Sequence, residues 1–104
     1  MGSALGNREQ HTTEFLEVIL RLDNLDDCRS LFQVVLTDAE LERLHHRWPI
    51  VRLLTEGLLT NREIAATLGV STTTVSATNA RLKREGGALR SFLERLRKSN
   101  TWQR

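Results

Sequence analysis

The stretch TNREIAATLGVSTTTVSATNARLKRE, from Thr60 to Glu85, decides the fold. It opens on Thr60-Asn-Arg-Glu63, a pattern in which the Thr hydroxyl accepts from the amide three residues on and the Glu carboxylate reaches back to the Thr amide. That predicts a short helix from Asn61 to Leu68 with Ile64, Ala65 and Leu68 facing inward. Gly69 ends it, because a tight turn needs the positive φ that glycine adopts freely. Ser71 is placed to cap a second helix, from Thr72 to about Arg84, with Val75 and Leu82 inward. Ala65 is small enough to let the two helices approach, Val70 fills the corner, and Val75 anchors the second helix on the first. Two helices joined by a short glycine turn make a helix-turn-helix over residues 61–84.

The second helix leaves Thr72, Thr73, Thr74, Ser76, Ala77, Asn79 and Lys83 on its outer side. Small polar side chains suit a helix that enters the major groove of double-stranded DNA, where base edges offer donors, acceptors and the thymine methyl. The plain alternative is a structural helical hairpin. Arg62, near the start of the first helix, is a candidate for a bidentate guanine contact or a phosphate contact. Lys83, Arg84 and Arg90 are phosphate candidates, although any one of them alone reads as a solvated surface charge.

Working outward toward the N-terminus, Thr37-Asp-Ala-Glu40 is a second capping box, so a helix starts at Asp38. Its apolar positions are Leu41, Leu44, Trp48, Val51 and Leu54, with Trp48 read as core. Pro49 lies inside this pattern and predicts a kink at Trp48–Pro49, or two shorter helices meeting there. Gly57 closes the segment. Before it, a helical pattern from about Thr12 carries Phe15, Leu16, Ile19, Leu20 and Leu22, and a second runs from Leu25 to Leu36. Both are too apolar to be solvated on all sides and call for cover from this chain or a second copy. Toward the C-terminus, Gly86-Gly87 reads as a hinge, and Leu89, Phe92, Leu93 and Leu96 make a last amphipathic helix. The domain expected is therefore residues 12–98, between a disordered stretch over 1–11 and a disordered tail over 99–104 that includes Trp102.

The chain has 104 residues, one domain's worth, with a single proline and six glycines, as an all-α chain would have. No apolar run reaches the length of a membrane span, and the polar start lacks the apolar core of a signal peptide, so the expected compartment is the cytoplasm. Cys28 is the only cysteine, which excludes an internal disulfide. His45 and His46 are adjacent and do not share a helix face, so no metal site is expected. The chain holds no Ser-His-Asp set, no paired carboxylates and no Gly-rich phosphate loop, and no enzyme is expected. Charge is divided: residues 1–50 carry five Arg against nine Asp and Glu, residues 51–104 ten Lys and Arg against four Asp and Glu. The basic half attracts phosphate backbones.

Leu36-Thr-Asp-Ala-Glu40, Arg47, Ile50-Val51, Gly57, Arg62-Glu63, Gly69 and Leu82-Lys83 together resemble the bacterial tryptophan repressor family, over roughly Leu36 to Leu96. LuxR-type and sigma-factor helix-turn-helix domains share the Leu-Thr and Asn-Arg-Glu-Ile-Ala wording. In them the interval that here separates Thr37 from Asn61, 24 residues, is shorter. A LuxR- or sigma-type domain and a helical protein-interaction module are the alternatives.

The resemblance implies a six-helix intertwined homodimer, a repressor that binds a palindromic operator, and L-tryptophan as corepressor. By it, Arg47 matches an arginine that lies against the indole, and Leu36 and Thr37 match the segment whose backbone holds the amino group. Ala77 stands where the family has the arginine that binds the carboxylate, Thr78 where it has glycine, Arg81 where it has serine, and Pro49 where it has an arginine. Arg81 lies one turn beyond Ala77 and is the candidate substitute, so the alternative is a regulator of the same fold with another ligand or none.

Overall fold

The computed structural model describes residues 7–99. These form six helices and no strand: α1 (Arg8–Arg21), α2 (Leu25–Val35), α3 (Asp38–Glu56), α4 (Asn61–Leu68), α5 (Thr72–Glu85) and α6 (Gly87–Ser99). They fall into two compact units, residues 1–41 and residues 42–104.

In the first unit α1 begins at Arg8, four residues before the Thr12 that the apolar pattern indicated. Residues 8–11 are Arg, Glu, Gln and His, which lack an apolar spacing but continue a helix, and the Thr12 hydroxyl donates to the Arg8 carbonyl at 3.0 Å. The last helix runs through Ser99, the first residue of the expected disordered tail, while residues 1–6 and 100–104, with Trp102, lie outside the described residues. Asn24 caps α2, its side-chain oxygen accepting from the Asp27 amide at 2.8 Å. Phe15 and Phe32 meet edge to face, ring centres 6.3 Å apart. Neither α1 nor α2 contains a buried residue. Leu20 is 83% exposed and Val34 82%.

The second unit has a core of Ile50, Leu54, Ile64, Ala65, Val75 and Leu82, with Val51, Leu53, Leu59, Leu68 and Val70 packed against it. Ile50, Ile64 and Val75, one each from α3, α4 and α5, are fully buried. The inward positions expected of the helix-turn-helix are therefore the ones that meet. The expected stripe on α3 is only half right. Leu54 is buried and Val51 half-buried, but Leu44 and Trp48 are exposed. The α3 residues in the core begin at Ile50, so the upstream positions of the stripe lie beyond the surface that α4 and α5 cover.

Helix α3 is one continuous element with Pro49 inside it, not two shorter helices. Proline has no N–H to give the carbonyl four residues back. Here that carbonyl belongs to His45, an exposed residue, so water is at hand to replace the lost donor. At the far end of α3, Arg97 of α6 donates from Nη2 to the Thr55 carbonyl at 2.9 Å, one of the terminal carbonyls that the helix itself leaves unpaired.

The Gly86-Gly87 pair is a tight corner, not a hinge. One residue separates α5 from α6, and the Gly86 amide donates to the Leu82 carbonyl at 2.7 Å while its carbonyl accepts from Arg90 at 2.8 Å. A methyl group on Gly86 would stand 2.5 Å from Leu82 Cδ1 and 2.8 Å from the Leu82 carbonyl oxygen, whereas one on Gly87 would meet nothing within 4 Å. Gly86→Ala is accordingly expected to destabilise the protein by about 1–3 kcal/mol through overpacking. Gly87→Ala, at a helical position with room, is expected to be neutral or to stabilise by up to about 1 kcal/mol. Urea denaturation of the two variants measures the difference.

Candidate nucleic-acid interface and ligand cavity

The helix-turn-helix is held by local hydrogen bonds that the sequence spells out. The Thr60 amide donates to Glu63 Oε1 at 2.9 Å and the Glu63 amide to Thr60 Oγ1 at 3.1 Å, closing the capping box of α4. Gly69 takes φ 70°, and the Val70 amide returns to the Ala65 carbonyl at 3.0 Å. Ser71 Oγ accepts from the Thr74 amide at 3.0 Å and starts α5. The turn thus fixes α5 against α4 with its N-terminal threonines outside.

Of the predicted interface residues, Arg62, Thr72, Thr73, Thr74, Ser76 and Lys83 are exposed, and Asn79 is half-buried. Two of them are already engaged. The Thr74 hydroxyl lies 2.8 Å from Ser71 Oγ, inside the cap. Ser76 Oγ accepts from Asn61 Nδ2 at 3.5 Å, a long bond between the two helices. Asn61 was not among the predicted site residues; its place directly after the capping threonine, at the start of the helix facing α5, was the available signal. Thr72, Thr73, Arg62 and Lys83 make no side-chain hydrogen bond or ion pair among the described residues, so their polar groups are available to a partner.

On its other flank α5 borders a cavity of about 460 Å³. Helix α3 contributes Arg47 and Val51, and α5 contributes Ala77, Thr78, Arg81, Leu82 and Glu85. Gly86 and Leu89 close it at the corner into α6. Three predicted ligand residues, Arg47, Ala77 and Arg81, are therefore brought to one wall. Leu36 and Thr37 belong to the first unit and are not in this lining. Glu85 was not foreseen, though residues 77, 81 and 85 recur every four positions and share a helix face. The Thr78 hydroxyl is taken by the Thr74 carbonyl at 2.9 Å, and Glu85 pairs with Arg84 at 3.6 Å. The side chains of Arg47 and Arg81 have no partner among the described residues. The wall is thus an apolar surface bordered by two arginines without a partner among the described residues and by Glu85.

Among the described residues no helix is long and apolar enough to cross a membrane.

The family model described as "Trp repressor protein" matches residues 10–97. A "Trp operon repressor homolog" of Xylella fastidiosa strain 9a5c is 34% identical over 80 residues, covering 74% of this chain and 84% of that protein. Proteins of the same description from strains M23 and Temecula1 are each 31% identical over 77 residues.

The cap and the outer face of α5 separate cleanly by substitution. Ser71→Ala is expected to cost about 1 kcal/mol of stability, because the Thr74 amide loses its acceptor. Thr73→Ala, on the exposed face, should stay within about 0.5 kcal/mol. Thermal unfolding of the two variants checks this.

Proposed function

This chain belongs to the Trp repressor family, and from that premise we propose that it is a cytoplasmic, homodimeric, sequence-specific DNA-binding repressor that recognises a palindromic operator. The observation that carries the reading is α5 itself: a helix clamped from behind by Val75 and Leu82, with unengaged Thr72 and Thr73 at its exposed N-terminal end. The basic second half of the chain supplies phosphate contacts, with Arg62 and Lys83 beside the reading helix. Dimerisation is supported by the uncovered Leu16, Leu20, Leu25 and Val34 of α1 and α2, apolar side chains that a second copy could cover. A two-fold dimer presents two copies of α5 to half-sites about one DNA turn apart.

The cavity is the effector site of this reading, because anything that fills it braces α5 directly. L-tryptophan, the corepressor expected from the family, meets an altered wall. With alanine at position 77 its carboxylate lacks a charge-assisted hydrogen bond worth about 1.5–3 kcal/mol, or about one to two decades of affinity. Ala77→Arg is expected to raise tryptophan affinity by about that much, measured by calorimetry.

The deciding experiment is a selection of DNA fragments from a random pool at about 0.15 M salt, with and without L-tryptophan. A recovered palindrome supports the reading, and its dependence on tryptophan reports whether that ligand is required. A DNA binder also loses affinity steeply as salt rises. Absence of any enriched sequence in both arms would replace this reading with a protein-interaction module. Arg62→Ala should relax preference at one base-pair position by about 1–3 kcal/mol if the guanidinium reads a base. A uniform loss across sequences would assign it to phosphate.

A further inference from the structure

We infer that α5 reads its DNA half-site by apolar contact, the methyl groups of Thr73, Ala77 and Ala80 packing on the C5-methyls of thymines. This rests on the DNA-binding reading proposed above and names the feature of the DNA that it recognises. Val75 and Leu82 are buried and fasten one side of α5 to the core. Thr73, Ala77 and Ala80, spaced by four and three residues, fall on the side opposite and are all exposed. A helix held from behind sends that opposite side deepest into a groove. Its flanks then face the groove walls, where the phosphates lie.

The chemistry of that line is mostly apolar: three methyl groups and one hydroxyl, that of Thr73. A bidentate reader of guanine or adenine needs a guanidinium, ammonium or carboxamide. On α5 these groups lie elsewhere. Asn79 is half-buried on the flank where Ser76 accepts from Asn61 of α4. Lys83, seven residues past Ser76, shares that flank and is placed for a phosphate. Arg81 borders the cavity on the other flank. Thymine alone among the bases presents a methyl in the major groove, and alanine and the threonine methyl are its usual apolar partners. Side chains this short also let the helix backbone come close to the base edges, so the contact needs no reach. Thr73 carries a methyl and a hydroxyl together, and conservative substitutions there separate the two modes of reading.

The test starts from the site that the selection recovers. Each thymine of a half-site is replaced in turn by deoxyuridine, which removes the methyl and keeps every hydrogen-bonding group, and the affinity of the full chain is measured by fluorescence anisotropy. At least one replacement per half-site is expected to weaken binding about three- to tenfold. At that position 5-methylcytosine should bind more tightly than cytosine by a similar factor, because the methyl returns while the base pair stays changed. Thr73→Ser, which keeps the hydroxyl, is expected to bring the thymine-over-uracil ratio close to one at one position. Thr73→Val, which keeps a methyl there, should retain the ratio. Residue 73 is exposed, so both variants fold, which circular dichroism verifies. Thymines that all tolerate uracil, 5-methylcytosine no better than cytosine, or a ratio unchanged in Thr73→Ser would each overturn the inference and leave the DNA-binding reading standing. A selection that returns no site removes both, and does so before any uracil is introduced.

Discussion

The burial of Ile50, Ile64 and Val75 against one another is the contact on which the second unit depends. Each comes from a different helix, and each is sealed from water completely. Burying such side chains stabilises by about 1.5–3 kcal/mol apiece, which is large beside the net stability of a small domain. The contact is possible only because the chain reverses between α4 and α5 within three residues, through the left-handed Gly69. A side chain with a Cβ at that φ costs about 1–2 kcal/mol. The same three-helix contact turns the threonines of α5 outward and sets its other flank against the cavity.

One helix therefore serves two surfaces. The N-terminal threonines of α5 are exposed, while Ala77, Arg81 and Glu85 line a cavity that Arg47 of α3 also borders. In the proposed reading a molecule in the cavity would touch α5 away from the exposed threonines, and a ligand biases a conformational equilibrium only through such differential contact. The charge inventory of this wall, two free arginines and a glutamate already paired with Arg84, gives it an electrostatic character that the shape alone does not convey.

The first unit has the opposite economy. Its helices carry leucines and valines at helical spacing yet bury none of them. The Phe15–Phe32 contact and the Asn24 cap hold local geometry. They do not remove enough apolar surface from water to account for the composition. These uncovered leucines and valines are the feature on which the proposed homodimer rests.

The elements whose geometry is set by neighbours in sequence were legible without coordinates. The capping boxes at Thr37 and Thr60, the Ser71 cap, the Gly57 and Gly69 stops and the inward Ile64, Ala65, Val75 and Leu82 all depend on interactions spanning four residues or fewer, or on one helix period. Other features were decided by tertiary structure. Periodicity marks Leu44 and Trp48 as apolar but cannot say how far along α3 the covering helices reach, and the cover starts at Ile50. Pro49 breaks a pattern on paper, whereas in the fold the helix continues past it, with His45, four residues back, exposed. Gly86 looked like freedom and is a steric necessity, because only packing places Leu82 where a methyl group would collide with it. The cavity likewise needed the fold: Arg47 and Arg81 stand more than thirty residues apart in sequence, and only the docking of α5 beside α3 places their two charges on one wall.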